Sequence, residues 1–447
     1  MEFSSIQFLL YFIPVFFLLY AITPPAFKNV TLIAGSFVFY VQGSRYFFWV
    51  LPLSMVVNYF FGKALELKEE EEKSRKRELL FAVAAVCNLA VLCHFKLWMK
   101  ELPLGISFYT FSVISYLADV YEGETKAERS LCNFITYLGM FPKLISGPIT
   151  SYDTVKDQLE ERSVGAAKFQ DGLKTFVLGL AFKTLLADRV GILWAEVGKT
   201  GFESITWRYA WLGAISYAVM LYFNFYGYSL MAIGLGRMVG FELPENFHLP
   251  YLSRSVRDFY RRWHMTLGLW FRKYIYIPLG GSRKGEFRTI LNLFAVWLFT
   301  GFWHGVTLNF FLWGLFLCLC IIIERLVSKI PFVKELVITP HLWLCFTILI
   351  SWMFFAITDV RELEIYLRRM FGVGNPVNVN PSDYLLALKR HGIMLGVGIF
   401  CCTGLIEKAF EKWKDRIWMG LLLAILFWAC VWKILAAGSN PFMYVVY

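Results

Sequence analysis

The chain has 447 residues, of which 58% are hydrophobic, 19% aromatic and 17% charged, and it carries a formal net charge of +11. A mean hydropathy of +0.55 excludes an ordinary soluble domain, whose apolar share is about half or less. The positive charge does not point to nucleic acid. The basic residues lie in short loops between apolar runs, the pattern by which a polytopic membrane protein sets its orientation. Runs of about 15 to 22 apolar residues, with room for about ten or eleven of them, predict an all-α multi-pass membrane protein. The whole of 1–447 reads as a single membrane domain.

In chain order, the first run covers 3–22. It is preceded by Glu2 but by no Lys or Arg, so it reads as a retained span and not a signal peptide. Further runs follow at 30–41 and 46–65, with Pro24-Pro25 and Gly43-Ser44 as turns. The segment 68–78, KEEEEKSRKRE, is too charged to enter lipid. Its Lys and Arg favour the cytoplasmic side, which places the N-terminus outside. Runs at 79–95 and 104–121 come next. The second carries Ser107, Tyr109, Thr110, Ser112, Ser115 and Asp119, and such groups must face protein or water because lipid offers them no partner. The stretch FPKLISGP at 141–148 holds two prolines and a glycine and reads as a broken or re-entrant segment.

Spans at 169–187 and 209–225 follow, then a small-residue stretch at 227–240 and a proline-bounded loop, LPENFHLPY, at 243–251. From 255 to 274 apolar residues recur at spacings of three and four, with Arg257, Arg261, His264, Gly268 and Arg272 along a neighbouring stripe. This predicts one amphipathic helix at the cytoplasmic interface or re-entering the membrane. The window 254–288 holds nine Lys/Arg against Asp258 and Glu286, a net +7, more than orientation requires. The loop LGGSRKG leads into a run at 290–304, and spans at 310–323, 342–357, about 392–405 and 418–436 complete the chain. A charged cytoplasmic turn at 407–416 puts the tail, 438–447, outside.

The nine cysteines lie mostly inside apolar runs without a C-x-x-C pair and read as small buried hydrophobes. No spacing suggests a metal site. His304, in TGFWHG, is either a structural histidine hydrogen-bonded to a neighbouring helix or a proton acceptor, since an ionisable group at membrane depth is a functional candidate. His264 is either interfacial or functional. His94, His248, His341 and His391 read as structural. Arg261, Arg262, Arg272, Lys273, Arg283 and Lys284 either orient the chain and touch anionic lipid, or receive a phosphate-bearing carrier through the guanidinium fork. No serine-hydrolase motif, Walker loop or G-x-G-x-x-G is present.

RRWHMTLGLWFRKYIYIPLGGSR at 261–283, followed 40 residues after His264 by FTGFWHG, resembles the membrane-bound O-acyltransferase family. The branch it looks most like contains the alginate O-acetylation membrane protein and its peptidoglycan-acetylating relatives. PLGISFYTFSVISYLADVYEGE, FPKLISGPI, GFELPENFHLPYLSRS and the closing NPF-x-Y extend the likeness over nearly the whole chain. One segment departs from the pattern: where the branch shows an F-D-F-S-G-Y-S-D-M type sequence, this chain reads FNFYGYSLM at 223–231, with neither aspartate.

The resemblance implies about eleven transmembrane helices, with re-entrant and interfacial helices, around a central tunnel in a bacterial cytoplasmic membrane. It also implies transfer of an acetyl group from cytoplasmic acetyl-CoA to an exported cell-wall or extracellular polysaccharide. His304 matches the family's catalytic histidine and His264 its second, more variable polar position. Arg261, Arg262, Arg272, Lys273 and Arg283 are then donor contacts, and Trp263, Thr300, Trp303, Ser107 and Tyr109 are tunnel-lining candidates. Tyr444 in the tail is either a transient acyl carrier or an aromatic-belt residue. The expected partners are membrane lipids and a separate exported acetyltransferase of the hydrolase-like SGNH type, with no nucleic acid and no metal. Two alternatives stay open: D-alanyl transfer to teichoic acid from an acyl carrier protein, and a flippase or transporter whose basic loop binds lipid phosphates.

Overall fold

The computed structural model describes residues 1–66, 74–99, 101–145, 147–328, 339–374 and 377–437. Most of the charged 68–78 run, the tail 438–447 and with it Tyr444 lie outside the described residues. Among the described residues the chain is helical without a strand; its single β-bridge joins Phe247 to Trp263.

The helices are α1 (Ile13–Ile22), α2 (Lys28–Gly43), α3 (Val50–Leu65), α4 (Arg75–Trp98), α5 (Ile106–Glu122), α6 (Leu131–Gly139), α7 (Phe141–Leu144), α8 (Tyr152–Glu160) and α9 (Ala166–Ala181). Then come α10 (Asp188–Thr200), α11 (Trp207–Met238), α12 (Val256–Arg262), α13 (Met265–Phe271), α14 (Glu286–His304) and α15 (Leu308–Val327). They are followed by α16 (Thr339–Ala356), α17 (Val360–Met370), α18 (Asp383–Cys401), α19 (Leu405–Trp413) and α20 (Ile417–Ala437). Five are long and apolar enough to cross a bilayer: α4, α11, α15, α18 and α20. Shorter apolar helices lie at Gln7–Ile22, Val50–Leu65 and His341–Ala356. With large apolar residues such as Val86, Ile393, Leu421 and Trp432 turned outward, this is a multi-pass membrane protein.

The described residues cluster into two compact units, one drawn from 1–180, 228–245 and 431–437, the other from 181–227 and 246–430. In the first, α5 is buried on nearly every side, including Thr110, Ser112, Ser115 and Asp119. This accounts for its polar residues, which meet protein and not lipid. Arg77, at the start of α4, donates to the Leu65 carbonyl at 2.8 Å and to that of Tyr121 at 3.1 Å. One guanidinium thus satisfies carbonyls at the C-terminal ends of α3 and α5. The proline-rich FPKL stretch makes the single turn α7, all four residues buried. Its Lys143 amine lies 3.9 Å from the Tyr137 ring centre.

Two expectations need correction. The span foreseen at 209–225 does not end there but runs on through most of the small-residue stretch at 227–240 as one 32-residue helix, α11, in which Gly234 serves the close packing read for that stretch: a Cβ there would meet the Gly172 carbonyl at 2.5 Å. The continuous amphipathic helix foreseen over 255–274 is broken at Trp263-His264 into α12, α13 and a π-helical turn, Arg272–Tyr276. His264 therefore leaves the stripe of Arg257, Arg261 and Arg272. Those arginines are exposed while the histidine is buried.

In the second unit the decisive packing is α14 against α15. A Cβ on Gly301 would meet the Phe310 carbonyl at 2.6 Å, and one on Gly314 would meet the Trp297 carbonyl at 2.5 Å. The two backbones approach this closely only because both positions lack side chains. Gly301→Ala and Gly314→Ala should each lower thermal stability in detergent by about 1–3 kcal/mol. They should also reduce activity through displacement of His304, measured by melting curves alongside turnover.

Candidate active site

His304 is the last residue of α14, and its burial follows from the helix ending there. The Gly305 amide donates to the Gly301 carbonyl at 3.1 Å, and Gly305 then turns extended at φ −177°. The imidazole sits among four aromatic rings, with centroids at 4.7 Å (Trp303), 5.0 Å (Trp313), 5.0 Å (Phe355) and 6.3 Å (Phe310). Three of these contacts are edge-to-face, the favoured arrangement for rings. At 5% exposure, the side chain is enclosed on most sides by these rings.

His264 is reached differently. It occupies the break between α12 and α13 at φ 45°, ψ 53°, a left-handed conformation that costs a side-chain-bearing residue about 1–2 kcal/mol. The cost is offset by the neighbouring loop. The Met265 amide donates to the Asn246 carbonyl at 2.9 Å, the His248 amide donates to the Arg262 carbonyl at 2.9 Å, and Phe247 bridges to Trp263. The Phe247 ring packs edge-on against Trp263 at 5.1 Å. His264 Nδ1 lies 3.1 Å from Asn246 Oδ1, and the ring packs edge-on against Phe225 at 4.8 Å. It also lies 5.8 Å from the Trp303 ring. One indole therefore contacts both histidines, which stand no further apart than its distances to each, laid end to end.

The foreseen basic residues surround this core without being buried in it. Arg261, Arg272, Lys273 and Arg283 are exposed, while Arg262 is half-buried and paired with Asp258 at 3.2 Å. Trp263 is buried between Phe259 and Trp352. The Thr300 hydroxyl donates to the Val296 carbonyl at 2.7 Å, and Trp303 joins the two histidines. Ser107 and Tyr109 belong to α5 in the other unit. Of the other four histidines, His248 is exposed and three have structural contacts: His341 Nδ1 donates to the Ser253 carbonyl at 2.9 Å, and His391 Nε2 lies 3.0 Å from Glu196 Oε2. His94 packs against Phe95 and Trp98. Among the described residues, no three His, Cys, Asp or Glu side chains gather as a metal site.

Residues that sequence reading did not single out are Asn246, Glu324 and Arg325. The Glu324 carboxylate, near the end of α15, accepts from the backbone amides of Val256 at 2.8 Å and Arg257 at 3.5 Å. It thus caps α12 from another helix. Its neighbour Arg325 pairs with Glu286 at 2.6 Å and 3.2 Å, at the first turn of α14. Adjacent side chains therefore fix both the beginning and the end of the basic segment. Two charges closing an apolar run were the available signal, and they read equally well as a span end. Glu324→Ala should destabilise the protein by about 1 kcal/mol, the usual cost of a lost cap. It should also loosen α12, seen as faster amide hydrogen exchange at 256–262, with Glu324→Gln intermediate.

The family model described as membrane-bound O-acyltransferase matches residues 48–358. The chain is 34% identical to the probable alginate O-acetylase of Pseudomonas putida, over 99% of both chains. It is 31% identical to the peptidoglycan O-acetyltransferase of Helicobacter pylori, over 83% of this chain and 80% of the other. A match to the teichoic acid D-alanyltransferase of Bacillus subtilis is 27% identical over 48% of this chain and 56% of that one.

Proposed function

Because the chain belongs to the membrane-bound O-acyltransferase family and is an acyltransferase, we propose that it moves an acetyl group from cytoplasmic acetyl-CoA across a bacterial cytoplasmic membrane for O-acetylation of an exported cell-wall or extracellular polysaccharide. The observation that carries this reading is the pair of buried histidines that both contact Trp303. In the proposed step His304 takes the proton of the attacking hydroxyl, whose oxygen forms the new bond to the acyl carbon. The carbon–sulfur bond breaks, and the leaving thiolate receives the proton from His304. The C-terminal carbonyls of α14 favour the positive charge that the imidazole carries in between. His264 orients the thioester end of the donor. Arg261, Arg262, Arg272, Lys273 and Arg283 meet the phosphates of the coenzyme, for which guanidinium groups supply paired donors.

Tyr444 is proposed as the hydroxyl that first receives the acetyl group, since a covalent relay divides one transfer into two easier steps. An exported SGNH-type acetyltransferase would then collect it on the outer side, where both termini are placed in this reading. Intact mass of the C-terminal peptide after loading with acetyl-CoA tests the relay, and absence of the adduct in a trapped variant argues against it. The likeness to a D-alanyltransferase supports a second reading, in which the donor is a carrier-protein thioester; a side-by-side donor assay separates the two.

His304→Ala should reduce acyl transfer by about 10²–10⁴-fold, the usual contribution of a positioned general base. Turnover by purified, folded protein with its acceptor is the measurement, and retained turnover would remove His304 from the mechanism.

A further inference from the structure

The proton position on His264 follows from groups whose hydrogen-bonding character is fixed. Asn246 is buried at 1% exposure, and His264 at 3%. Asn246 Oδ1 lies 3.3 Å from the backbone nitrogen of Thr266, 2.9 Å from the Thr266 hydroxyl and 3.1 Å from His264 Nδ1. A backbone N–H can only donate, so the amide atom facing it is the carbonyl oxygen; turning the amide over would set an NH₂ against an N–H. A carbonyl oxygen can only accept. The imidazole nitrogen facing that oxygen therefore carries its proton, and in the neutral ring the lone pair is on Nε2. The backbone holds the same arrangement, since the Asn246 carbonyl accepts from the Met265 amide at 2.9 Å. The asparagine is thereby bound through both its backbone and its side chain to the two residues that follow the histidine it addresses.

We infer that Asn246 is a positioning residue that holds His264 with its proton on Nδ1, so that His264 presents Nε2 to a bound substrate as a hydrogen-bond acceptor. Its substrate contact is an N–H or O–H group, such as an amide of the donor's arm or the attacking hydroxyl. It does not polarise the thioester carbonyl, because that task needs a donor on Nε2. The assignment deepens the acyltransfer reading and rests on it for its chemistry, but the tautomer can be read without any turnover.

The test uses the full-length protein in detergent with ¹⁵N-labelled histidine, the His264 signals being assigned by their loss in His264→Gln. The expected spectrum shows Nδ1 protonated and Nε2 bare; a protonated Nε2 overturns the proposal. Asn246→Leu, close in volume but without an acceptor, should release the tautomer and lower kcat for acetyl-CoA by about 10–100-fold, the scale of losing a histidine's outer hydrogen-bond partner. Asn246→Asp, which restores an acceptor at that place, should recover both the tautomer and part of the rate. An Asn246→Leu protein that melts normally and keeps both tautomer and rate refutes the role. If Asn246→Leu does not fold, the wild-type spectrum still decides. If no thioester is turned over by the unaltered protein, the functional reading fails while the spectrum continues to test the tautomer.

Discussion

The break between α12 and α13 is where the chain departs from regular helix, and the arrangement of the second unit depends on how that break is satisfied. A helix that stops inside an apolar bundle leaves amides and carbonyls with no solvent to receive them. Here the loop 246–249 supplies the missing partners through the amide of His248, the carbonyl of Asn246 and the Phe247–Trp263 bridge. The same few residues that repair the backbone also turn His264 into the interior. Structural necessity and site geometry are met by one set of hydrogen bonds.

The two histidines are positioned by unlike means. His304 is placed by apolar packing: aromatic edges around it and a helix pair brought close by Gly301 and Gly314. His264 is placed by a polar contact with Asn246, whose Oδ1 also accepts from the Thr266 hydroxyl. Glu324 and Arg325 act further out, tying Val256 and Glu286 to a single turn of α15.

Much of this was legible in the residues. Apolar run lengths announced a multi-pass helical protein, and the polar residues of α5 announced a helix enclosed by protein, as its buried Ser112, Ser115 and Asp119 show. His304 stood out because an ionisable residue ended an apolar run. The break at Trp263-His264 was not legible, since apolar spacings of three and four continue across it from Phe259 to Trp270. Periodicity records which residues avoid water, and both sides of the break do. Asn246 was hidden for a related reason: a lone asparagine between prolines is ordinary turn chemistry.

By itself the sequence determined the solvent this chain folds in, the helical class and the family, because apolar run lengths and ordered short motifs are properties of the linear chain. Tertiary structure alone decided which nitrogen of His264 bears the proton, which side chains cap α12, and that the histidines share one indole. Each depends on the direction of a donor or the closeness of two backbones. Groups 18 and 68 residues apart in sequence acquire such relations only when the chain is packed.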